Sequence, residues 1–242
     1  MLPLGRAAPV DGSLASPTNP IPTDLTGYLA AGDLDGAALL GPPPTPESLR
    51  GQADRAYYNE TRSQQGSARW AQAIRDNDIW AGGALKTYAC AAGKQIGPQA
   101  TPVLYRLLHR IEIDVRTVGK PAKDHYNRPR PLIGDSQPIC VPREDWMKTN
   151  ASYPSGHAMV GWSWGLILSE LAPARADGLM AAGKGVGDSR VICGVHYQSD
   201  IEAGRTLASA MVARLHGDPA FQRDLAAARR ELAKAPAMSC PA

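Results

Sequence analysis

After residue 47, apolar residues recur at intervals of three and four along most of the chain, which is the spacing of one face of an α-helix. The clearest helix begins after Thr101, a good N-cap residue that is followed by Pro102 in the first helical position. Gly119 and Pro121 both favour the end of a helix, so this helix is predicted to stop near Val118. Its apolar face consists of Leu104, Leu107, Leu108, Ile111, Val115 and Val118.

The same periodicity predicts seven further helices. Their ranges are 48–65, 67–79, 81–92, 155–171, 173–187, 199–216 and 219–235. The second of them carries Trp70, Ile74 and Ile79 on an apolar stripe. Residues 119–153 are rich in proline and polar groups and are predicted to form a long loop of the kind that tends to be functional. Because alternating strand patterns are nearly absent, the sequence predicts an all-α, single compact multi-helix domain over residues 48–242.

Residues 1–47 differ in composition, since they hold nine of the 21 prolines. They are predicted to form a Pro-rich extended N-terminal arm with little regular structure. The arm contains apolar residues that favour docking on the domain surface, namely Tyr28, Leu29, Leu34, Leu39 and Leu40. A disordered leader is the alternative for this segment.

Composition narrows the classes of partner. The 242 residues are 43% hydrophobic and 20% charged, which is ordinary for a globular protein with a sizeable core. A net charge of +3 without a dense run of lysine and arginine argues against nucleic acid and against an anionic membrane as partners. No apolar stretch approaches the roughly 18 residues of a membrane-spanning helix. The first residues lack the features of a secretory signal, so the chain is either cytosolic or a mature form from which a signal peptide was removed.

Four cysteines, Cys90, Cys140, Cys193 and Cys240, show neither CxxC nor Cys/His spacing, which argues against structural zinc. They can form two disulfides in three connectivities, or remain free and buried. One hypothesis pairs Cys140 with Cys193, because these two flank the candidate site, and leaves Cys90 with Cys240.

Two of three chemically informative stretches lie before residue 160. In the first, Lys123 and Arg130 stand seven residues apart in the predicted loop. The second is a Pro-Ser-Gly-His sequence that opens a predicted helix, where backbone N–H groups and the helix dipole favour an anion. Ser155 supplies a hydroxyl there, Gly156 lets a ligand approach the backbone, and His157 can give or take a proton.

The third stretch contains Arg190, His196 and Asp200. If a helix opens near Asp200, His196 lies one turn before it, within reach of the carboxylate. Together the three stretches supply cations for phosphoryl oxygens, a nucleophile and a proton donor, which are the needs of a phosphoryl group in transit. Because no HxH, HExxH or carboxylate cluster stands nearby, the basic side chains are expected to do the work that a metal ion does elsewhere.

In this order, the motifs Lys-x6-Arg-Pro, Pro-Ser-Gly-His and Ser-Arg-x5-His-x3-Asp resemble those of the type 2 phosphatidic acid phosphatase superfamily. That group includes the bacterial class A non-specific acid phosphatases and the vanadium haloperoxidases. The class A enzymes match further, through residues 39–44, 151–157 and 189–200, and the likeness runs from about residue 28 to about residue 232. The resemblance implies a periplasmic or secreted, metal-independent acid phosphatase without cofactor, acting on a broad range of small phosphate monoesters.

On this chain the resemblance makes His196 the nucleophile, which forms a phosphohistidine that water then hydrolyses. Asp200 would orient and stabilise the His196 ring, and His157 would protonate the leaving alcohol and then activate water. The residues implied to hold the phosphoryl group are Lys123, Arg130, Ser155, Gly156 and Arg190. From the residues alone, either histidine could be the nucleophile, although Asp200 favours His196. An acidic optimum is expected, because one histidine must be protonated while the other is neutral.

Several alternatives stay open. A vanadium-dependent haloperoxidase would use the same cradle for vanadate, and a helical anion-binding module would need the cations but not both histidines. Phosphotransferase activity and homo-oligomerisation are also left open. Outside the site, His109 is interpreted as a surface or partly buried structural residue, Asp76 and Asp78 as surface residues, and Arg128 as a solvated or salt-bridged one.

Overall fold

A computed structural model of the chain describes residues 25–80 and 82–240. The helices in these residues are α1 Gly36–Leu40, α2 Leu49–Thr61, α3 Ala68–Asp76, α4 Gly83–Ala92, α5 Pro102–Tyr126, α6 Trp146–Thr149, α7 Gly156–Leu171, α8 Ala176–Ile192, α9 Gln198–Leu215 and α10 Pro219–Lys234. Within the described ranges there is no strand, and one isolated bridge pairs Lys94 with Ala237. The predicted all-α, single-domain fold is confirmed. None of the described helices is long and apolar enough to cross a membrane.

Helix α5 is longer than predicted. It continues through Gly119 and Pro121 to Tyr126 and ends at Asn127, whose left-handed backbone (φ 43°) donates its N–H to the Lys123 carbonyl. Gly119 is explained by packing, because a Cβ there would lie 3.0 Å from the Met159 sulfur of α7. The predicted stop near Val118 is therefore wrong, and Lys123 lies on a helix instead of in the loop.

Three further predictions about local structure are corrected. The predicted loop at 119–153 begins only at Asn127 and contains the short helix α6. Helix α8 extends past residue 187 to Ile192, which places Arg190 in its last turn. Ile74 is 49% exposed and does not share the buried stripe of Trp70.

The described part of the N-terminal arm, residues 25–47, docks on α5 and contains α1. Leu29 is buried, Leu34 and Leu40 pack against the core, and Leu39 remains exposed. The Asp114 carboxylate on α5 accepts hydrogen bonds from the Tyr28 and Leu29 amides, both at 2.8 Å. Residues 1–24, the rest of the predicted arm, lie outside the described residues.

Helices α7 and α8 form the most closely packed pair around the site. They are joined by a short connection and run antiparallel, so the start of α7 faces the end of α8. Glycines line their contact: a Cβ on Gly161 would lie 2.7 Å from the Val186 Cβ, and one on Gly183 would lie 2.8 Å from the Gly161 oxygen. We call this contact the glycine seam, and it holds the first turn of α7 against the last turn of α8.

Two disulfides join Cys90 to Cys240 and Cys140 to Cys193. This is the pairing that the hypothesis favoured, and the alternative of free cysteines is wrong. The second disulfide ties the 127–145 loop to the turn after α8, and the Cys140 amide also donates to the Cys193 oxygen at 2.9 Å.

Candidate active site

The predicted site residues converge at the ends of four helices and in two connecting segments. Contributions come from the last turns of α5 and α8, the first turns of α7 and α9, the loop after α5 and the turn before α9. All of them are buried, namely Lys123, Arg130, Ser155, Gly156, His157, Arg190, His196 and Asp200. The structure thus brings together every residue that the three motifs single out.

The contacts of His196 assign its tautomer. Its Nε2 lies 3.2 Å from Nη1 of Arg130, and because guanidinium nitrogens only donate, Nε2 must be the unprotonated nitrogen. Its Nδ1 lies 3.4 Å from a carboxylate oxygen of Asp200 and 3.3 Å from the Ser152 hydroxyl, so Nδ1 carries the proton. The Nε2 lone pair therefore faces the cationic side of the site.

His196 is neutral as well as oriented. Burial lowers its pKa well below 6.5, and the charges of Arg130, Lys123 and Arg190 lower it further. The His196–Asp200 contact is therefore an approach of a neutral ring to a carboxylate, with Nδ1 3.4 Å from the carboxylate oxygen and the Ser152 hydroxyl beside both groups. A neutral imidazole with a directed lone pair is the form in which histidine acts as a nucleophile.

Asp200 is fully buried at the start of α9 and accepts hydrogen bonds at both carboxylate oxygens. One oxygen is bonded by the Ser152 hydroxyl and by the Tyr197 amide (2.7 Å), beside Nδ1 of His196. The other accepts from Nη1 of Arg128 at 2.6 Å. The role of Ser152 is not predicted by the sequence, in which its one signal is its position in the stretch 151–157 that resembles the class A enzymes.

The three predicted phosphate-binding cations are each held by amide or carbonyl oxygens. Arg130 donates to the main-chain oxygen of Asn150 (2.9 Å) and to its side-chain oxygen (2.7 Å). Lys123 donates to the Ala151 oxygen at 2.6 Å. Arg190 donates to the side-chain oxygen of Asn77 at 2.6 Å. These neutral acceptors fix the positions of the three cations and do not themselves cancel their charge.

The first turn of α7 adds backbone donors. Ser155 is the N-cap: its hydroxyl accepts from the Ala158 amide at 3.3 Å, and its own amide donates to the main-chain oxygen of Asp200 at 3.0 Å. The Gly156 and His157 amides that follow belong to the first turn of the helix, where N–H groups lack intrahelical acceptors and favour an anion. Ser155 thus also joins α7 to α9.

His157 is held by the main-chain oxygen of Asn77, the residue that follows α3. Its Nε2 lies 3.0 Å from the main-chain oxygen of Asn77, which can only accept, so Nε2 carries a proton and Nδ1 is the other ring nitrogen. Asn77 therefore contacts His157 through its backbone and Arg190 through its side chain. Sequence reasoning missed Asn77, because it lies 80 residues from His157 in the chain.

Some interpretations of individual residues are corrected. Asp76 is buried, and the Ser189 hydroxyl donates to it at 2.5 Å; burial raises the Asp76 pKa. His109 is buried beside Glu112 (2.8 Å) and stacks on Trp80, and burial lowers its pKa to about 4. Neither is a surface residue. Arg128, by contrast, is salt-bridged as expected, to Asp54 at 2.8 Å and to Asp200.

The chain is similar to known phosphatases. Residues 113–222 match the model of the PAP2 superfamily. The chain is 42% identical over 203 residues to an acid phosphatase of Zymomonas mobilis subsp. mobilis, covering 83% of this chain and 76% of that protein. It is 38% identical over 203 residues to a non-specific acid phosphatase of Providencia stuartii (83% and 82% covered) and 37% over 199 residues to one of Salmonella typhimurium (80% and 78%).

The fold is also found in a solved structure. A transmembrane PAP2-type phosphatidylglycerolphosphate phosphatase from Bacillus subtilis superposes with a TM-score of 0.50 at 19% identity, covering 71% of this chain and 87% of the other. At that identity the likeness concerns the arrangement of helices alone.

Proposed function

Because the chain belongs to the bacterial non-specific acid phosphatases of the PAP2 superfamily, which are phosphoric monoester hydrolases, we propose that it hydrolyses a broad range of phosphate monoesters through a phosphohistidine at His196. The observation that carries the proposal is the neutral His196 ring, with its Nε2 lone pair among cations and its Nδ1 3.4 Å from the Asp200 carboxylate. An anionic substrate is drawn to that lone pair.

In the first step, Nε2 of His196 attacks phosphorus, and the bond from phosphorus to the alcohol oxygen breaks. The departing oxygen takes the proton from Nδ1 of His157, because Nε2 of that ring is bonded to the Asn77 main-chain oxygen. Phosphorylation gives the His196 ring a positive charge, which the Asp200 carboxylate stabilises through Nδ1–H.

In the second step, His157 accepts a proton from water, and the resulting hydroxide oxygen forms a bond to phosphorus. The bond from phosphorus to Nε2 of His196 breaks, its electron pair returns to the ring, and inorganic phosphate leaves. Throughout, the charge on the phosphoryl oxygens is balanced by Lys123, Arg130 and Arg190 together with the first amides of α7. These groups are the basis for proposing that no metal ion is needed.

Broad specificity is expected because the proposed site holds the phosphoryl part of the substrate. The groups described above all address the phosphoryl group, and its geometry is the same in every monoester. If a second alcohol replaces water in the second step, the same intermediate gives phosphotransfer. A periplasmic or secreted location is supported by the two disulfides, because such bonds persist in oxidising compartments.

The intermediate can be tested directly. The enzyme is mixed with p-nitrophenyl phosphate labelled in the phosphoryl group and quenched in alkaline denaturant, in which phosphohistidine survives. We expect label on the wild-type chain and none on H196A, whose turnover falls by roughly a thousandfold or more. In H157A the labelled species should accumulate, because p-nitrophenolate leaves without a proton whereas the water step loses its base. Full turnover in H196A would refute the mechanism.

Metal independence and the haloperoxidase alternative have separate tests. Activity should persist after dialysis against EDTA, and a loss reversed by a divalent cation would refute metal independence. Vanadate should inhibit the phosphatase by occupying the cationic site. Halide oxidation in the presence of vanadate and peroxide, without phosphatase activity, would favour the haloperoxidase instead; the names of the relatives favour the phosphatase.

A further inference from the structure

A buried arginine outside the predicted site lies between two carboxylates. The side chain of Arg128 is 10% exposed and donates through Nη2 to Asp54 of α2 (2.8 Å) and through Nη1 to Asp200 (2.6 Å). We propose that Arg128, fixed by Asp54, is a positioning residue that sets the orientation of the Asp200 carboxylate and, through it, of the His196 ring. The proposal rests on the phosphohistidine mechanism given above.

The contacts of Asp200 show why its orientation depends on Arg128. One carboxylate oxygen serves the catalytic side, with Ser152, the Tyr197 amide and Nδ1 of His196 around it. The other accepts from Nη1 of Arg128. Without the arginine this second oxygen would be a buried anionic acceptor without that donor, and the carboxylate would turn to recover one. Any such rotation moves the first oxygen away from His196.

Arg128 is itself held from three sides. Asp54 accepts from its guanidinium and also from the Ser199 amide (2.9 Å) and hydroxyl, so α2 is joined to the start of α9 through the same carboxylate. Nη1 of Arg128 donates to the Ser199 hydroxyl at 2.7 Å. The guanidinium carbon lies 4.3 Å from the centre of the Tyr197 ring. These contacts hold the guanidinium in the orientation in which its two Nη atoms bridge the Asp54 and Asp200 carboxylates.

The expected kinetic consequence is specific. The groups that hold the phosphoryl oxygens are Lys123, Arg130 and Arg190, which Arg128 does not replace. Loss of Arg128 should therefore lower kcat, because the charged His196 intermediate is less well stabilised, and should leave KM nearly unchanged. A charge-assisted hydrogen bond to a buried carboxylate corresponds to a fall in kcat of about 10- to 100-fold.

The position of Arg128 also permits a chemical rescue. It lines a cavity of about 650 Å³ together with Arg55, Pro129 and Tyr197. Truncation to alanine should open space from this cavity toward Asp54 and Asp200, into which free guanidinium fits. Arg55 provides a matched control: it lines the same cavity and lies 5.3 Å from the same Tyr197 ring, but donates to the Tyr197 hydroxyl and the Pro131 oxygen instead of to Asp200.

The experiment compares R128A, R128K and R55A by kcat, KM and thermal unfolding, with and without millimolar guanidinium. We expect R128A to lose kcat at constant KM and to regain part of it with guanidinium, and R55A to keep wild-type kcat with no response. R128K keeps the charge but cannot donate to both carboxylates at once, so its kcat should also fall. R128K tests the proposal if R128A does not fold.

Three results would overturn the proposal. These are wild-type kcat in both Arg128 variants, a rise in KM in place of a fall in kcat, and an equal loss of kcat in R55A. Labelling of the wild-type chain with alkaline quench distinguishes failure of this proposal from failure of the phosphohistidine mechanism on which it rests. Labelled His196 with an unaffected Arg128 variant refutes the positioning role alone, whereas an unlabelled wild-type chain refutes the phosphohistidine mechanism.

Discussion

Removal of the disulfide between Cys140 and Cys193 should reduce both stability and activity. This bond joins residues 53 apart in the chain and connects the loop after Arg130 to the turn that carries His196. The perturbation is the double substitution C140A/C193A, which removes the bond without introducing a buried hydroxyl. Its matched control is C90A/C240A, which removes the other disulfide, located between α4 and the segment after α10.

The magnitude follows from the length of the closed loop. Loop-closure entropy for 53 residues corresponds to about 4 kcal/mol at 25 °C, and for 150 residues to about 5 kcal/mol. For a chain of this size, 4 kcal/mol lowers the melting temperature by about 8–16 °C. Chemical denaturation at neutral pH measures the free energy of unfolding of each variant against the wild type.

Activity should separate the two variants. Asn150, which fixes the Arg130 guanidinium through two hydrogen bonds, follows the tethered loop, and His196 lies three residues after Cys193. Without the tether the Arg130 fork is less well placed, so KM for p-nitrophenyl phosphate should rise by about threefold or more at a temperature where the variant is folded. C90A/C240A should keep the wild-type KM.

Two outcomes would refute this reasoning. A loss of stability below about 1 kcal/mol in C140A/C193A would mean that other contacts already restrict the loop in the unfolded ensemble. A larger loss of activity in C90A/C240A than in C140A/C193A would mean that the tether near His196 does not position the site.

Two predictions concern pH. The rate should rise in the acid range as His196 loses its proton, because burial and the neighbouring cations hold its pKa well below 6.5; a rate that first rises in alkaline buffer would contradict the assignment. Burial raises the Asp114 pKa from 3.8 to about 7, so the folded state binds its proton more tightly, and the free energy of unfolding should fall by up to about 4 kcal/mol as pH rises through this interval. In D114N the free energy of unfolding, measured by chemical denaturation, should depend less on pH over this interval. The same pH dependence in D114N and the wild type would mean that other groups cause it.

The sequence predicts the fold class correctly, and it singles out residues that the fold brings together, for physical reasons. Helical periodicity is a local property, so the existence of the long helices follows from spacing alone. Lys123, His157, Arg190 and Asp200 lie at helix ends, where charged and polar residues interrupt the apolar pattern and become visible. The end of α5 was predicted wrongly because Gly119 serves the approach of Met159, which is a tertiary contact.

The supporting residues could not be predicted from the chain. Asn77 holds His157 across 80 residues, and Arg128 reaches Asp200 across 72. Asp76 follows an amphipathic stretch like a surface residue, yet it is buried by its contact with Ser189, 113 residues away. No periodic signal marks such partners, because their roles exist only once the helices are packed.

The glycine seam between α7 and α8 has a consequence for how the enzyme can diversify. His157, in the first turn of α7, and Arg190, in the last turn of α8, lie at the same end of the seam on opposite helices, so their spacing is fixed by two backbones in contact and not by side chains that can be exchanged. A methyl group at Gly161 or Gly183 would force the helices apart and widen that spacing. New substrate preferences are therefore more accessible through substitutions in the loops, while the seam keeps the spacing between His157, the proposed proton donor, and Arg190, a proposed phosphate ligand, constant.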